Sequence, residues 1–181
     1  LNLNRLEIPV NPYEAFRCDV PNLSTSLYFV VNDAFYTKLQ PKGHLPEGVI
    51  IGSLAEEAAK KPHLIGKYYS RIAKTDGDAI TALNTMMAQD GLLVYVPKGT
   101  KVDRTVQVIN ILRSDVDLMA NRRVLIIVEP EAEIKLLFCD HAVDDRKFLT
   151  TQVIEAYVGD NAGLDLYCLE ETHAKNTRVS N

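Results

Sequence analysis

A segment that recurs about every thirty residues limits what this 181-residue chain can fold into more than any other feature. YVPKGTKV (95–102), IVEPEAEI (127–134) and YVGDNAGL (157–164) share one pattern. Each has a bulky residue, a Val, three turn-forming residues, a small residue, a polar residue or Gly, and an aliphatic. The valines fall at 96, 128 and 158, so the spacings are 32 and 30. Units of this size stack, because a single unit cannot bury its own apolar face. From Gly91 onward the residue period is two and β-branched residues dominate, which makes the stacked units strands rather than helices. The pattern predicts strands over 92–96, 105–112, 123–128, 134–139, 148–158 and 164–169, with no helical link between them. The fold expected for 91–181 is a parallel β-helix whose inward Val, Ile and Leu residues form ladders. An antiparallel sandwich is the competing architecture. It calls for tight hairpins, and the Asn-Gly and Asp-Gly signals of such turns are absent after residue 91.

The first repeat contains Lys98-Gly99-Thr100, which invites comparison with a phosphate-binding loop. The order is wrong for one. A phosphate cradle runs G-x-x-x-x-G-K-[ST] between a strand and a helix, whereas here Lys precedes Gly and a strand pattern follows. Pro97 sets φ and Gly99 supplies a permissive backbone, so PKGT reads as the first corner of the repeat. Ala132 and Ala162 then occupy the place of Thr100.

Residues 1–90 read as a smaller α/β region. Pro9, Pro12 and Pro21 interrupt regular structure over 1–26. Residues 27–31 and 34–37 suggest a hairpin about Asn32-Asp33, residues 40–48 a loop, and 49–51 a short buried strand. Three helices follow. Ser53 is a good N-cap with Glu56 three residues on, and Pro62 suits the first position of a second helix. Leu64, Ile65, Tyr68, Tyr69 and Ile72 recur at helical period along it. Asp76 is placed to cap a third helix, whose core stripe is Ile80, Leu83 and Met87.

Composition narrows the function. A net charge of −4 and a pI near 5.6 argue against non-specific binding to nucleic acid or to an acidic membrane. No apolar run approaches the roughly 20 residues of a membrane span. Cys18, Cys139 and Cys168 are odd in number and widely spaced, which fits free thiols in a reducing, cytoplasmic compartment.

Four blocks carry a family resemblance: LPEGVIIGSLAEEAAKKP (45–62), ALNTMMAQDGLLVYVPKGTKV (82–102), RRVLIIVEPEAEIKLL (122–137) and TQVIEAYVGDNAGLDLYCLEE (151–171). In content, order and spacing they resemble the SufB/SufD family of iron–sulfur cluster assembly proteins, and SufD more than SufB. The resemblance covers about residues 13–181. It implies a right-handed parallel β-helix preceded by a small helical region, in a non-catalytic scaffold subunit that partners a SufB-like scaffold and a SufC-like ABC ATPase. An iron or iron–sulfur cluster is implied for the full complex and none for this chain alone. Family members carry further coils and a C-terminal helical segment that binds SufC. This chain stops at RVSN, so it reads as truncated at the C-terminus. The family's functional Cys and His residues near the SufB–SufD contact fall in that absent part, and none is carried over. An uncapped coil exposes unpaired backbone and apolar core, so self-association through the C-terminal coil is expected.

Beside the resemblance stand a few residues that could do chemistry. Cys139 and His141 are two apart on a predicted strand, so they share a face, and thiolate plus imidazole suit iron or zinc. Two ligands fall short of the three or more a metal site needs. Cys168 alternates with Leu164 and Leu166, which points to a buried, inert thiol, and His173 is a loose companion. Asp144, Asp145 and Arg146 raise an alternative, a parallel β-helix enzyme acting on carbohydrate. Adjacent acids in a loop point apart, however, and read as a solvated turn. His44 and His63 lack a sequence-near catalytic partner. A plain interaction module without a link to iron or sulfur is the third reading.

Overall fold

The computed structural model describes residues 26–38 and 45–181. Apart from Ser26, the irregular stretch expected over 1–26 lies outside the described residues, as do Cys18, His44 and most of the 40–48 loop. The protein is mainly β. Ten strands, β1 (Ser26–Val31), β2 (Ala34–Phe35), β3 (Ile50–Ser53), β4 (Leu92–Val96), β5 (Val106–Leu112), β6 (Leu118–Val128), β7 (Glu133–Ala142), β8 (Phe148–Val158), β9 (Gly163–Glu171) and β10 (Asn176–Ser180), form two mixed sheets. Three helices, α1 (Leu54–Lys60), α2 (Pro62–Tyr68) and α3 (Ala79–Met87), lie between β3 and β4 in the chain.

One sheet has the order β2-β1-β5-β7-β9 and the other β10-β8-β6-β4-β3. From β4 to β10 each strand lies in the sheet opposite its predecessor and pairs in parallel with the strand two places on. An antiparallel sandwich is thereby ruled out; the antiparallel pairs are β1–β2 and β3–β4. Val96 pairs with Val128, and Val128 with Val158, so the repeat valines are stacked neighbours. Strands from the first ninety residues also join the ladders, β1 beside β5 and β3 beside β4.

The unequal repeat spacing has a local cause. Lys101 bridges Glu133, a step of 32, whereas Val106 pairs with Leu136, a step of 30. Two extra residues therefore sit between the first corner and β5, and Asp103-Arg104 occupy that stretch. The corners are otherwise alike. The N–H groups of Thr100, Ala132 and Ala162 donate to the carbonyls of Pro97, Glu129 and Gly159 at 3.1, 3.2 and 3.1 Å. The third turn residue is left-handed in every case: Gly99 (φ 70°), Glu131 (φ 63°) and Asn161 (φ 56°). This is the backbone of a type II turn, with Pro130 at its favoured position. Corner backbones also bond from coil to coil, Gly99 N–H to Pro130 O and Glu131 N–H to Asp160 O.

Between the sheets, inward side chains form the expected ladders. Leu92–Val124–Ile154 and Val94–Ile126–Ala156 rise through one sheet, Val106–Leu136–Leu166 and Tyr28–Val108–Phe138–Cys168 through the other. Each fully buried Val, Leu or Ile contributes about 1.5–3 kcal/mol, so register is strongly specified: a slip of one residue would turn every rung outward.

The helices cover the outer face of the second sheet, where Leu93, Leu125 and Ile127 pack against Leu54 and Ile65. Ser53 caps α1 by accepting the Glu56 N–H at 3.1 Å, and Pro62 opens α2. Two expectations for the helices fail. α2 ends at Tyr68, which leaves Ile72 58% exposed. α3 is capped by Asp78, not Asp76, and buries Thr81 and Asn84 in place of the Ile80, Leu83 and Met87 stripe. The reason is what lies beneath it. The Asn84 side-chain amide donates to Arg122 O and Thr151 Oγ1, both at 3.0 Å, partners an aliphatic side chain could not satisfy. β10 was not anticipated either. Its polar sequence NTRVS is held extended by parallel pairing with β8, a case of tertiary pairing overriding local propensity.

Candidate functional site

β7 delivers its alternate residues to opposite faces. Phe138 and Leu136 enter the inter-sheet core, while Cys139 lies on the outer face, fully buried among Phe29, Ile109 and Ile111. Gln107 Nε2 donates to Cys139 Sγ at 3.4 Å. His141, two residues on and on the same face, stacks in register between Ile111 and Glu171, and its Nδ1 lies 3.4 Å from Glu171 Oε2. The expected Cys139–His141 face therefore exists. Among the described residues, no group of three or more His, Cys, Asp or Glu is arranged to hold a metal ion.

Cys168 is not part of that face. It is the fourth rung of the Tyr28–Val108–Phe138 ladder, on the inner side of β9, and it is exposed because β9 is the edge strand of its sheet. The buried thiol expected from the Leu164–Leu166 alternation is thus corrected: the alternation is right, but among the described residues no further strand covers the rung. Partial burial pushes the Cys168 thiol up, against the pull of Arg178 and with the help of Asp140. A thiol so raised is a poor nucleophile at neutral pH.

Beside Cys168 the interior turns polar, an arrangement with no sequence signal in the apolar ladders. Asp140, 2% exposed, receives Arg122 Nη1 on one carboxylate oxygen and Arg178 Nη1, at 2.7 Å, on the other. Arg178 also lies 3.5 Å from Glu170. Arg122 Nε reaches the Asn32 carbonyl at 3.0 Å, tying the β1–β2 turn to this end of the core. Burial drives the Arg122 guanidinium below its usual pKa, and Asp140 opposes that shift. These residues are the inward members of their strands one or two places beyond the last apolar rung.

A second buried pair clamps the helical layer. Glu155 follows Leu93 and Leu125 in one outer ladder, so the repeat alone would place a leucine there. Its carboxylate accepts the N–H groups of Ser70, Ile72 and Ala73 at 2.8, 2.9 and 3.0 Å and Arg123 Nη2 at 2.5 Å. Burial alone would raise its pKa; the three N–H groups and Arg123 outweigh that and hold it below the ordinary value. Arg123 also stacks 4.6 Å over the Tyr69 ring. Asp90 plays the matching part at the other end of the layer, accepting from Phe35 N–H, Ser53 Oγ and Ala55 N–H.

The acids of the carbohydrate reading do not converge. Asp144 accepts the Ser114 N–H at 2.8 Å, and Asp145 pairs with Lys175 at 2.7 Å. His173 turns to the Asp144 carbonyl at 2.8 Å. Among the described residues, no helix is long and apolar enough to cross a membrane.

Comparison with known proteins agrees with this construction. Residues 1–108 match the family model described as SufBD protein N-terminal region, and residues 110–181 the one described as SUF system FeS cluster assembly, SufBD core domain. The SufBD family protein ABCI9 of Arabidopsis thaliana is 26% identical over 160 residues, 88% of this chain and 33% of its own length. The SufBD family protein slr0074 of Synechocystis is 29% identical over 129 residues, covering 71% and 27%. SufD of Bacillus subtilis is 28% identical over 149 residues, covering 81% and 34%. The chain thus spans between 27% and 34% of the length of these three relatives. With both family models matched end to end along it, the chain belongs to the SufBD family of iron–sulfur cluster assembly proteins.

Proposed function

We propose that this chain serves as a non-catalytic scaffold in a cytoplasmic Suf-type iron–sulfur cluster assembly complex, of the SufD kind, beside a SufB-like scaffold and a SufC-like ABC ATPase. The observation that carries the reading is the stacked parallel ladder itself, with two faces of side chains in register over a stretch matched by the SufBD core description. In this reading the alternation of strands between sheets winds as a right-handed parallel β-helix, to which the region before residue 90 adds β1, β2 and β3 at the sheet ends and three helices on one outer face. The names of these relatives, iron–sulfur cluster assembly proteins throughout, support the same assignment. Iron or a cluster is cargo of the complex. Cys139 with His141 is the candidate metal-facing pair and Cys168 the candidate thiol. β9 and β10 are edge strands, with Val158, Leu166, Tyr167 and Val179 exposed around them, and they support self-association of this chain through that end.

Co-expression of the tagged chain with a SufB-like scaffold and a SufC-like ATPase tests the proposal. A complex of all three that survives size exclusion is the expected result; recovery of the chain without either companion overturns it. Light scattering over a dilution series tests the edge: a monomer at every concentration removes self-association from the reading.

A further inference from the structure

The chain's charge is unevenly placed. Its net charge is −4, yet residues 60–74, KKPHLIGKYYSRIAK, contain Lys60, Lys61, Lys67, Arg71 and Lys74 and no acidic residue. All five basic residues are exposed. Lys60 and Lys61 lie within 4 Å of Glu56 or Glu57 on α1, so their fields are partly cancelled. Lys67, Arg71 and Lys74 form no ion pair among the described residues. Lys67 donates instead to Tyr68 Oη, and Arg71 to the Gly66 carbonyl, both at 2.9 Å. Ile72, which follows Arg71 in the chain, is 58% exposed.

This loop is held in place. Glu155 grips the backbone N–H groups of Ser70, Ile72 and Ala73 from beneath, and Arg123 Nη2 lies 3.2 Å from Ser70 Oγ. Ser70 is in the left-handed region at φ 56°. A segment fixed by three hydrogen bonds to one buried carboxylate loses little further entropy on binding. The backbone that carries Arg71, Ile72 and Lys74 is therefore ordered before any partner arrives.

We propose that the Lys67–Arg71–Ile72–Lys74 face is a docking surface for a partner protein, engaging a segment that carries acidic residues around an apolar one. Charge complementarity sets the acidic requirement, and the exposed Ile72 sets the apolar one. A long phosphate polymer suits the face less well. The rest of the chain is more acidic than the whole and repels a polyanion, and a phosphate backbone offers Ile72 nothing to bury against. A protein segment is short enough to stay within the patch and can supply both kinds of contact.

Titration by fluorescence anisotropy decides the matter. Four probes are used: a labelled twelve-residue peptide of alternating Glu and Leu, the same peptide with Ser for Leu, a single-stranded twelve-nucleotide DNA, and phosphatidylglycerol vesicles. The Glu–Leu peptide is expected to bind the chain, to weaken as salt rises, and to outbind the other three. The Lys67→Gln, Arg71→Gln, Lys74→Gln triple variant, its fold checked by circular dichroism, should bind it about ten-fold more weakly. Ile72→Ser alone should reduce the advantage of the Leu over the Ser peptide. Equal binding by the triple variant and the parent overturns the proposal. Binding of DNA or vesicles as tight as that of the Glu–Leu peptide overturns it in favour of a phosphate ligand, and no binding by any probe overturns it outright.

Discussion

Replacing Glu155 by Gln changes one oxygen for one NH2 group at a position where the side chain is fully buried. One oxygen, Oε1, can still accept from Ile72 and Ala73. At the other position, the new amide protons would face the Ser70 N–H, 2.8 Å away in the parent, and Arg123 Nη2, 2.5 Å away. Donor then meets donor twice, and the Arg123 guanidinium, whose side chain is 1% exposed, loses its carboxylate. Breaking a buried pair from one side costs about 3–5 kcal/mol, because it strands a buried charge. That is a large share of the roughly 5–15 kcal/mol that holds a domain folded. Urea denaturation followed by far-UV circular dichroism measures it as a shift in midpoint. Amide exchange at Ser70, Ile72 and Ala73 should rise in step. A Glu155→Leu, Arg123→Met double variant removes both charges but orphans all three N–H groups, at about 1–3 kcal/mol each where they stay dry, so it should not recover the parent's stability. A cost below about 1 kcal/mol for Glu155→Gln, the level of an exposed ion pair, would refute the clamp.

The same carboxylate sets a pH dependence. Its folded pKa lies below the ordinary 4.5, so the stability it contributes is present above 4.5 and is lost as the pH falls below it. The acid limb of the stability curve should be shallower in Glu155→Gln than in the parent, as measured by urea midpoints over a pH series. Gly91→Ala should destabilise by about 4 kcal/mol or more or prevent folding, since its Cβ would lie 2.2 Å from the Arg123 carbonyl oxygen; soluble yield and circular dichroism report it. Gly99→Val should cost about 1–2 kcal/mol for a branched residue in the left-handed region, whereas Gly99→Asn should cost little, since Asn161 already holds the equivalent corner; thermal denaturation separates the two.

How much of this was legible in the sequence depends on which force decides each position. The corners and ladders were, because a two-residue period ending in a turn-forming triplet has one good way to stack Val96, Val128 and Val158 in register. The strands over 92–96 and 148–158 coincide with β4 and β8 to the residue. β10 was not legible, because its polar residues form a strand only where β8 offers a partner edge. The α3 stripe was misread for a related reason. Helical period identifies which residues share a face, and Thr81 and Asn84 share one as well as Ile80, Leu83 and Met87 do; the surface beneath, with the Arg122 carbonyl and the Thr151 hydroxyl, chose between them.

The candidate site follows the same logic more severely. Cys139 and His141 share a face, as alternation along a strand requires, because that alternation is local. Whether a thiol is covered is not local: Cys139 is sealed by Phe29, Ile109 and Ile111, while Cys168, with Leu164 and Leu166 before it on its own face, lies open at an edge. The buried charges gave no sign at all. In sequence, Arg122, Arg123, Asp140, Glu155 and Arg178 look like ordinary surface residues, yet register brings Asp140 between two arginines and sets Glu155 under a loop some eighty residues away in the chain. A repeat predicts the side chain at the next rung by analogy with the last, and function or specificity enters where the analogy breaks. Glu155 in the Leu93–Leu125 ladder is such a break. The loop it fixes is the one that carries the exposed Arg71, Ile72 and Lys74, so the departure from the repeat and the unpaired basic face are two ends of one structural device.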